Sequence, residues 1–454
     1  MSQAQIIDYN YKFADDNHEL SHIPGNDGIP YFGRSLHFIF RFYELAKEHY
    51  EKYGEISRIK VLHQRGLIVL GADNYQQVFL DKERNFSTET GYESSLGQFY
   101  KGGLLLRDFG EHKVQRRIMQ SAFKTAAMKG YVTQMLPVMN RHIQQYDQNK
   151  KFLFGPHIKR TLLDVGAKIF IGVDGPEQLT HKLNQAFCDI NNGLLAQVKK
   201  EIPGTAFWRG KRGMRFLHEY FQSIIAARRA GDSQDMFSFM CREQMEDGRF
   251  FPDEDILPHI SFLLFAAHDT TTSVLNHMVM YSAMQPAWQE KMRAEVDALG
   301  KDQLEYEDLD KLQIIDRVFQ ECLRLHPAAG LLTRRTVREC EMGGYTIPAN
   351  TMLFIPVVFN HRDPRYWTNP ETFDPDRFSP ERAEFKNHSF CYHPFGGGAH
   401  KCIGMHFGSM LAKVFMFNFL KTYRYSTPQN YKPRLLWVPL PKPARLPLSL
   451  ERIR

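Results

Sequence analysis

Apolar and polar positions follow two rhythms along this chain. From about residue 108 to 325 the apolar residues recur at helical spacing in long segments, with few strand signals. Upstream, "LHFIFRFYELAKEHYEKYG" (36–54) predicts an amphipathic helix stopped by Gly54. "ISRIKVL" and "GLIVLGA", separated by "HQR", predict a strand pair. A short β region returns in "GLLTRRTVRECEMGGYTIPANTMLFIPV", where Gly-Gly and Pro-Ala-Asn mark turns. A glycine-rich stretch, "HPFGGGAHKCIG", then opens an amphipathic helix reaching about Leu420, and the proline-punctuated tail "WVPLPKPARLPLSL" admits only edge strand or extended coil. No linker, repeat or low-complexity segment divides the chain. The expectation is a mainly α fold with a minor β part, one domain over 1–454. Its β-rich part covers roughly 55–72, 330–356 and 434–450, and its helical part roughly 73–325 and 402–422.

Composition narrows this picture modestly. Of 454 residues 43% are hydrophobic, enough for a large core. The 35 phenylalanines and 18 methionines fit an apolar interior that includes a lipophilic cavity, although ordinary core filling accounts for any single one. A formal charge of +7 suggests a basic surface, but no run of basic residues appears, so nucleic acid is not an expected partner. The N-terminus has no apolar leader core and no segment reads as a continuous membrane span. The expectation is therefore a soluble, cytoplasmic protein without a transmembrane anchor. Six scattered cysteines without C-x-x-C give neither a disulfide framework nor a zinc signature.

One cysteine stands apart. Cys402 follows three glycines and precedes Ile403, Gly404 and a helix, so its sulfur lies where unpaired N–H groups and the helix dipole favour a thiolate. Two roles need a thiolate, nucleophile and metal ligand, and the flanking glycines suggest something flat and large against the backbone. "FGGGAHKCIG" fits F-x-x-G-x-(H/R)-x-C-x-G at every fixed position: Phe395, Gly398, His400, Cys402 and Gly404. This resembles the ligand loop of the cytochrome P450 superfamily. The resemblance implies the P450 fold, a triangular prism of helices around a buried haem b (iron protoporphyrin IX), with Cys402 as thiolate ligand of the iron. It also implies an aromatic, Phe395, near the sulfur and a propionate donor in His400.

Three further motifs occur in the family's order. "ECLRLHP" sets Glu321 and Arg324 on one helix face, plausible as a buried pair beside Cys322, Leu323 and Leu325. "FDPDRF" offers Arg377, whose planar fork can share the carboxylate; the three resemble the family's structural E-R-R triad. "FGEHKVQRRIMQSAF" puts His112 and Arg116 one turn apart, either a solvated charged face or, as the resemblance implies, propionate donors. Arg334 in "LLTRR" resembles the strand arginine that binds a propionate, with Arg335 as its rival.

"ISFLLFAAHDTTTSVLNHM" (260–278) is an apolar helix interrupted by Asp-Thr-Thr-Thr, residues that compete with helical hydrogen bonds. One reading is a bend with back-bonded threonines. The other is chemical: "AAHDTT" resembles the family's (A/G)-G-x-(D/E)-T-(T/S), an acid–alcohol pair on the distal side of the haem. There Thr270 would hold a hydrogen bond and Asp269 would pass protons through water. Ala267 departs from the usual glycine, and its methyl is expected to narrow the groove where dioxygen lies. The implied substrate pocket draws Tyr92, Phe99, Tyr100 and Leu104 from one stretch, Phe262, Phe265 and Ala266 from this helix, and Ala329 and Leu331 from "AAGLL". Few charges among them favour a lipophilic small molecule, and the motifs lean towards retinoid-, sterol- and terpenoid-hydroxylating branches, with a fatty acid as the alternative.

No flavin or iron–sulfur signature appears, so electrons are expected from a separate ferredoxin or flavoprotein reductase, docking on Lys113, Arg117, Lys124 and Lys401 or meeting them as unrelated surface charges. The implied activity is a monooxygenase. A peroxide-driven peroxygenase or haem-thiolate isomerase, and a non-enzymatic haem sensor or lipid carrier, are the competing readings.

Overall fold

A computed structural model describes residues 20–62, 64–148, 151–173, 177–437 and 440–453. Residues 1–19 lie outside the described residues. Two compact units emerge. Among the described residues, one comprises 20–97, 105–115 and 323–402; the other comprises 98–104, 116–322 and 403 onwards.

The first unit holds a six-stranded sheet in the order Gly25–Asn26, Ile56–Val61, Gln64–Val69, Met352–Ile355, Leu332–Thr336, Phe86–Ser87. The expected strand pair is an antiparallel hairpin, Ile56 opposite Val69, whose second strand begins at Gln64. Gln64–Val69 then runs parallel to Met352–Ile355, and a β-carbon at Gly66 would lie 2.5 Å from the Met352 carbonyl oxygen, so only glycine fits this approach. Gly343 and Gly344, both at positive φ, turn a separate hairpin, Cys340–Met342 with Tyr345–Ile347. Behind the sheet, Ile56, Leu67, Val69, Val78 and Phe79 form one buried cluster with Leu353 and Ile355. The helix Ala72–Leu80 supplies Val78 and Phe79, and Phe79 reappears at the site below. The helix expected over 36–54 is two, Ser35–Phe40 and Phe42–Tyr53, broken at Arg41 (φ −146°) and ended by Gly54 at φ 86°. The first of them leaves Leu36 and Phe40 exposed.

The second unit is helical. Its axis is Asp253–Met284, 32 residues and roughly 48 Å long, with Asp253, Glu254 and Asp255 in the first turn, where acidic side chains suit the dipole. Phe154–Gly166, Ala206–Ala230 and Met405–Thr422 pack on it. Glu177–Leu194 lies against Ala206–Ala230 through glycines: a β-carbon at Gly193 would come 3.0 Å from the Gly210 Cα, and one at Gly213 would come 2.7 Å from the Ala186 carbonyl oxygen. The tail forms short strands, Leu435–Leu436 with Lys442–Pro443, and Ser449–Arg452 with Tyr423–Ser426. The stretch 398–422 contains a window long and apolar enough to span a bilayer, which the sequence reading passed over; 67% of that window is buried within the protein.

Candidate active site

The glycine loop folds around its cysteine. Gly396 (φ +67°) and Gly398 (φ +59°) take left-handed backbone, and a β-carbon at Gly398 would lie 1.7 Å from the Phe79 carbonyl oxygen. The Cys402 N–H donates to the Phe395 carbonyl at 2.9 Å and the Lys401 N–H to that of Gly398 at 3.2 Å, which closes the loop on itself. Gly404 caps the following helix, so the sulfur sits three residues before its first helical residue, Met405. Of the six cysteines, Cys402 alone is exposed. Burial pushes the thiols of Cys340 and Cys391 up to about 11 and that of Cys241 up to about 12. Those thiols stay protonated and inert.

A donor cluster surrounds Asp108 in the same unit. His112, 2% exposed, lies on the helix Phe109–Met119, and its ring centroid is 3.9 Å from that of His400. His400 Nε2 is 3.7 Å from Asp108 Oδ1. Burial raises the Asp108 pKa although Ser87, the Thr88 and Glu89 N–H groups and Arg334 oppose it. The buried Arg334 stands over the Phe79 ring at 5.8 Å, and its charge acts on Tyr92, Asp108 and Asp81. One of its five N–H groups goes to the Thr333 carbonyl at 2.8 Å. Arg335 is turned to Asn350, donating to Oδ1 at 2.8 Å. Adjacent strand residues point to opposite faces, so Arg334, not Arg335, shares the neighbourhood of Asp108. Arg116 follows His112 by one turn and is half-buried. An exposed thiol, two adjacent imidazoles and a buried guanidinium fit a flat, carboxylate-bearing metal macrocycle: sulfur for the metal, N–H groups for the carboxylates.

Glu321, Arg324 and Arg377 are all buried to within 1%. Arg324 donates to the carbonyls of His361 (2.8 Å), Pro370 (2.7 Å) and Thr372 (3.2 Å), with Trp367 stacked 5.2 Å away. Arg377 reaches the Thr372 carbonyl too, at 3.3 Å, and that of Asn369 at 2.8 Å. It also pairs with Glu384 at 3.0 Å, a carboxylate the sequence reading did not single out. The Glu384 carboxyl is buried, which alone would raise its pKa. The Thr368 hydroxyl, Arg382 and Arg377 outweigh this and hold it at about 2.

In the second unit, Thr270, Thr271 and Thr272 donate to the carbonyls of Ala266, Ala267 and His268 at 2.6, 2.8 and 2.9 Å, the back-bonding expected of threonines inside a helix. Asp269 is tied down by side chains the sequence did not point to: His268 Nδ1 at 3.0 Å, Asn191 Nδ2 at 3.1 Å and Lys159 Nζ at 3.9 Å. Burial alone would raise the Asp269 pKa, but the His268 bond and charge, with Lys159 and Lys442, bring it below the usual range. His268 Nε2 is 3.0 Å from the Lys159 carbonyl oxygen. Both ring nitrogens thus face oxygen atoms, which fixes the ring between Asp269 and the Lys159 carbonyl. Ala267 and His268, with Leu264, line a cavity of about 40 Å³ whose other walls include Phe170, Phe187 and Phe407. Tyr100 stacks on Phe265 (4.8 Å) and meets Phe262 edge-on (5.8 Å), Phe99 meets Phe207, and Leu104 is buried. Of the remaining pocket candidates, which belong to the first unit, the Tyr92 hydroxyl accepts from the Thr333 N–H at 3.4 Å, Leu331 is half-buried and Ala329 is exposed. Lys113, Arg117, Lys124 and Lys401 are all exposed, Arg117 being paired with Glu246.

Residues 23–444 match the family described as Cytochrome P450. The chain belongs to the cytochrome P450 family. A relative named cytochrome P450 136, from Mycobacterium tuberculosis, is 33% identical over 429 residues, 93% of this chain and 87% of that one. A beta-amyrin 28-monooxygenase of Saponaria officinalis is 26% identical over 454 residues, covering 94% and 91%. The solved structure described as retinoic acid bound cyanobacterial CYP120A1 superposes with a TM-score of 0.85 at 25% identity, over 95% of this chain and 99% of that one. The helix-rich fold with small sheets is thus the P450 fold, the chain is a P450 monooxygenase, and its cofactor is a haem.

Proposed function

We propose that this P450 binds haem b through the Cys402 thiolate and inserts one atom of O2 into a C–H bond of a terpenoid, steroid, retinoid or fatty acid. Two electrons from a separate ferredoxin or flavoprotein reductase and two protons carry the second oxygen atom away as water. The bound haem supplies the redox centre at which O2 is reduced. The observation that carries the reading is the one exposed cysteine, held by its own loop in the same unit as the His112–His400–Arg334 donor cluster.

On this reading Arg334, His112, His400 and Arg116 grip the haem carboxylates. Gly398 and Gly404 give the loop its path, and Phe395 lends the carbonyl that fixes Cys402. Glu321, Arg324 and Arg377 lock the surrounding fold. Thr270 holds a hydrogen bond towards the reacting oxygen while Asp269, kept ionised, orients the water that brings protons. Tyr92, Phe99, Tyr100, Leu104, Phe262, Phe265, Ala266, Ala329 and Leu331 line the substrate pocket. The names of the amyrin-oxidising and retinoic-acid-bound relatives support a lipophilic substrate. Residues 1–454 act as one domain, soluble in the cytoplasm; that the span-like window is mostly buried supports this.

The test is spectroscopic. The reduced carbon monoxide complex of the wild-type chain shows the red-shifted band of thiolate-ligated haem, and Cys402→Ser loses it. A variant that keeps the band places the ligand elsewhere and ends the assignment.

A further inference from the structure

We propose that the small apolar cavity beside the helix Asp253–Met284 is a holding site for dioxygen, the co-substrate of the monooxygenase. The inference goes beyond the proposed function. It needs the monooxygenase activity, but neither the identity of the organic substrate nor the Cys402 assignment.

The cavity has about 40 Å³ of room and lies wholly within the second unit. Its walls come from Phe154–Gly166, Glu177–Leu194, Asp253–Met284 and Met405–Thr422, with Leu217 from Ala206–Ala230. One water needs roughly 10–15 Å³, so room is not what a water would lack here. It would lack partners. Among the described residues that line the cavity, only Asn184 and His268 carry polar side chains. The Asn184 amide donates to Asp164 Oδ1 at 3.0 Å, and the His268 ring is held between Asp269 and the Lys159 carbonyl. A buried water needs two or more polar partners, and an apolar cavity that cannot offer them stays dry and takes small apolar guests. Size then selects among those guests. A terpenoid or steroid skeleton is far too large, whereas a diatomic molecule fits, and the diatomic molecule that this enzyme consumes is O2.

Gly166 indicates that this room is kept open. Its φ of −61° and ψ of −45° are helical, so the backbone accepts any residue there. A β-carbon at Gly166 would meet nothing closer than the Phe170 ring at 3.6 Å, an ordinary contact. Alanine would therefore fit and would favour the helix. The position holds glycine nonetheless, and it lines the cavity. Directly after it the chain passes through a π-turn, Ala167–Ile171, which carries Phe170 and Ile171 of the wall. Single π-turns cost helical regularity and recur at functional sites. Another wall residue, Ala267, lies three residues before Thr270, one helical turn from the hydroxyl to which the proposed function gives the reacting oxygen.

Xenon, a small apolar atom, is the probe, and the haem-loaded full chain is the sample. Crystals pressurised with xenon should show it by anomalous diffraction among Gly166, Phe170 and Leu264, and crystals without it should show no ordered water there. Gly166→Leu, whose side chain enters the cavity, should hold no xenon at that place. Stopped-flow mixing of the reduced chain with dissolved O2 then reads association. Gly166→Leu should associate severalfold more slowly than wild type and Gly166→Ala to an intermediate degree, while xenon under pressure should slow the wild type and leave Gly166→Leu unaffected. Gly166→Ala should unfold no earlier than wild type, so its slower association is not damage to the fold. Were Gly166→Leu not to fold, Gly166→Ala and the xenon competition in the wild type would still decide. Ordered water in the cavity, no xenon there in the wild type, or O2 association indifferent to both xenon and the Gly166 substitutions overturns the inference. Diffraction from xenon depends on neither the haem ligand nor a substrate, so a failure of the Cys402 reading leaves this result standing and the two are told apart.

Discussion

Two glycines of one loop allow the geometry around Cys402 to be tested by difference. Gly396 and Gly398 share left-handed backbone, φ +67° and +59°, so alanine at either costs about 1–2 kcal/mol in conformation alone. Their surroundings differ. At Gly396 the nearest atom to a new β-carbon is a leucine methyl at 3.8 Å, an ordinary contact, so the conformational cost is the whole cost. At Gly398 the β-carbon would lie 1.7 Å from the Phe79 carbonyl oxygen, whereas carbon and oxygen rest at about 3.3 Å. Something must move by more than about 1 Å. Phe79 is buried against Tyr75, Phe390 and His393 and belongs to a helix, so the loop yields rather than the wall. Overpacking of this kind adds about 1–3 kcal/mol, bringing Gly398→Ala to about 3 kcal/mol or more. The displaced segment is the one whose Phe395 carbonyl holds Cys402, so haem retention should fall with stability. Urea unfolding of the three proteins, with haem content per chain after gel filtration, measures both. Gly398→Ala matching Gly396→Ala in midpoint and haem content would falsify the claim that Phe79 fixes the loop.

Three other outcomes are expected. Arg324→Lys replaces a fork that reaches three carbonyls by a single ammonium; leaving even one or two of them buried without a donor should cost about 3 kcal/mol, and an unchanged unfolding midpoint would refute this. Burial lowers the pKa of His393 to about 3, that of His49 to about 4, and that of His361 well below the usual histidine value, so all three are neutral in the fold. Their full stability is present above about pH 6.5, where the unfolded chain is also neutral, and each site loses about 1.4 kcal/mol per pH unit as the pH falls towards its folded pKa. Denaturation at pH 7.5 and 5.5 measures the slope, and His393→Phe should make it shallower. His268→Leu removes the strongest support of the Asp269 charge, so burial should raise that carboxyl's pKa and shift the acid limb of product-forming turnover to higher pH; a superimposable pH profile would contradict it.

What could be read from the sequence is what lies contiguous in it. The cysteine loop was legible because left-handed glycines, a thiol and a helix start sit within ten residues and need no distant partner to make sense. Which way Arg334 and Arg335 point was not, because strand alternation assigns them to opposite faces without saying which face is which; the structure turns Arg335 to Asn350 and leaves Arg334 in the field of Asp108. Glu384 was missed because its claim on Arg377 depends on the path of the chain between them, and Arg41 gave no helix-breaking signal. The Asp269 environment was hidden for the same reason: His268 adjoins it, but Asn191 and Lys159 come from other helices. That environment alters the chemistry suggested by the motif. A carboxylate held ionised by an imidazole, an amide and an ammonium is a poor store of protons. On the proposed assignment Asp269 therefore acts by orienting water and Thr270 by holding its hydrogen bond. His268, whose two ring nitrogens face Asp269 and the Lys159 carbonyl, then fixes how the acid presents itself to that water.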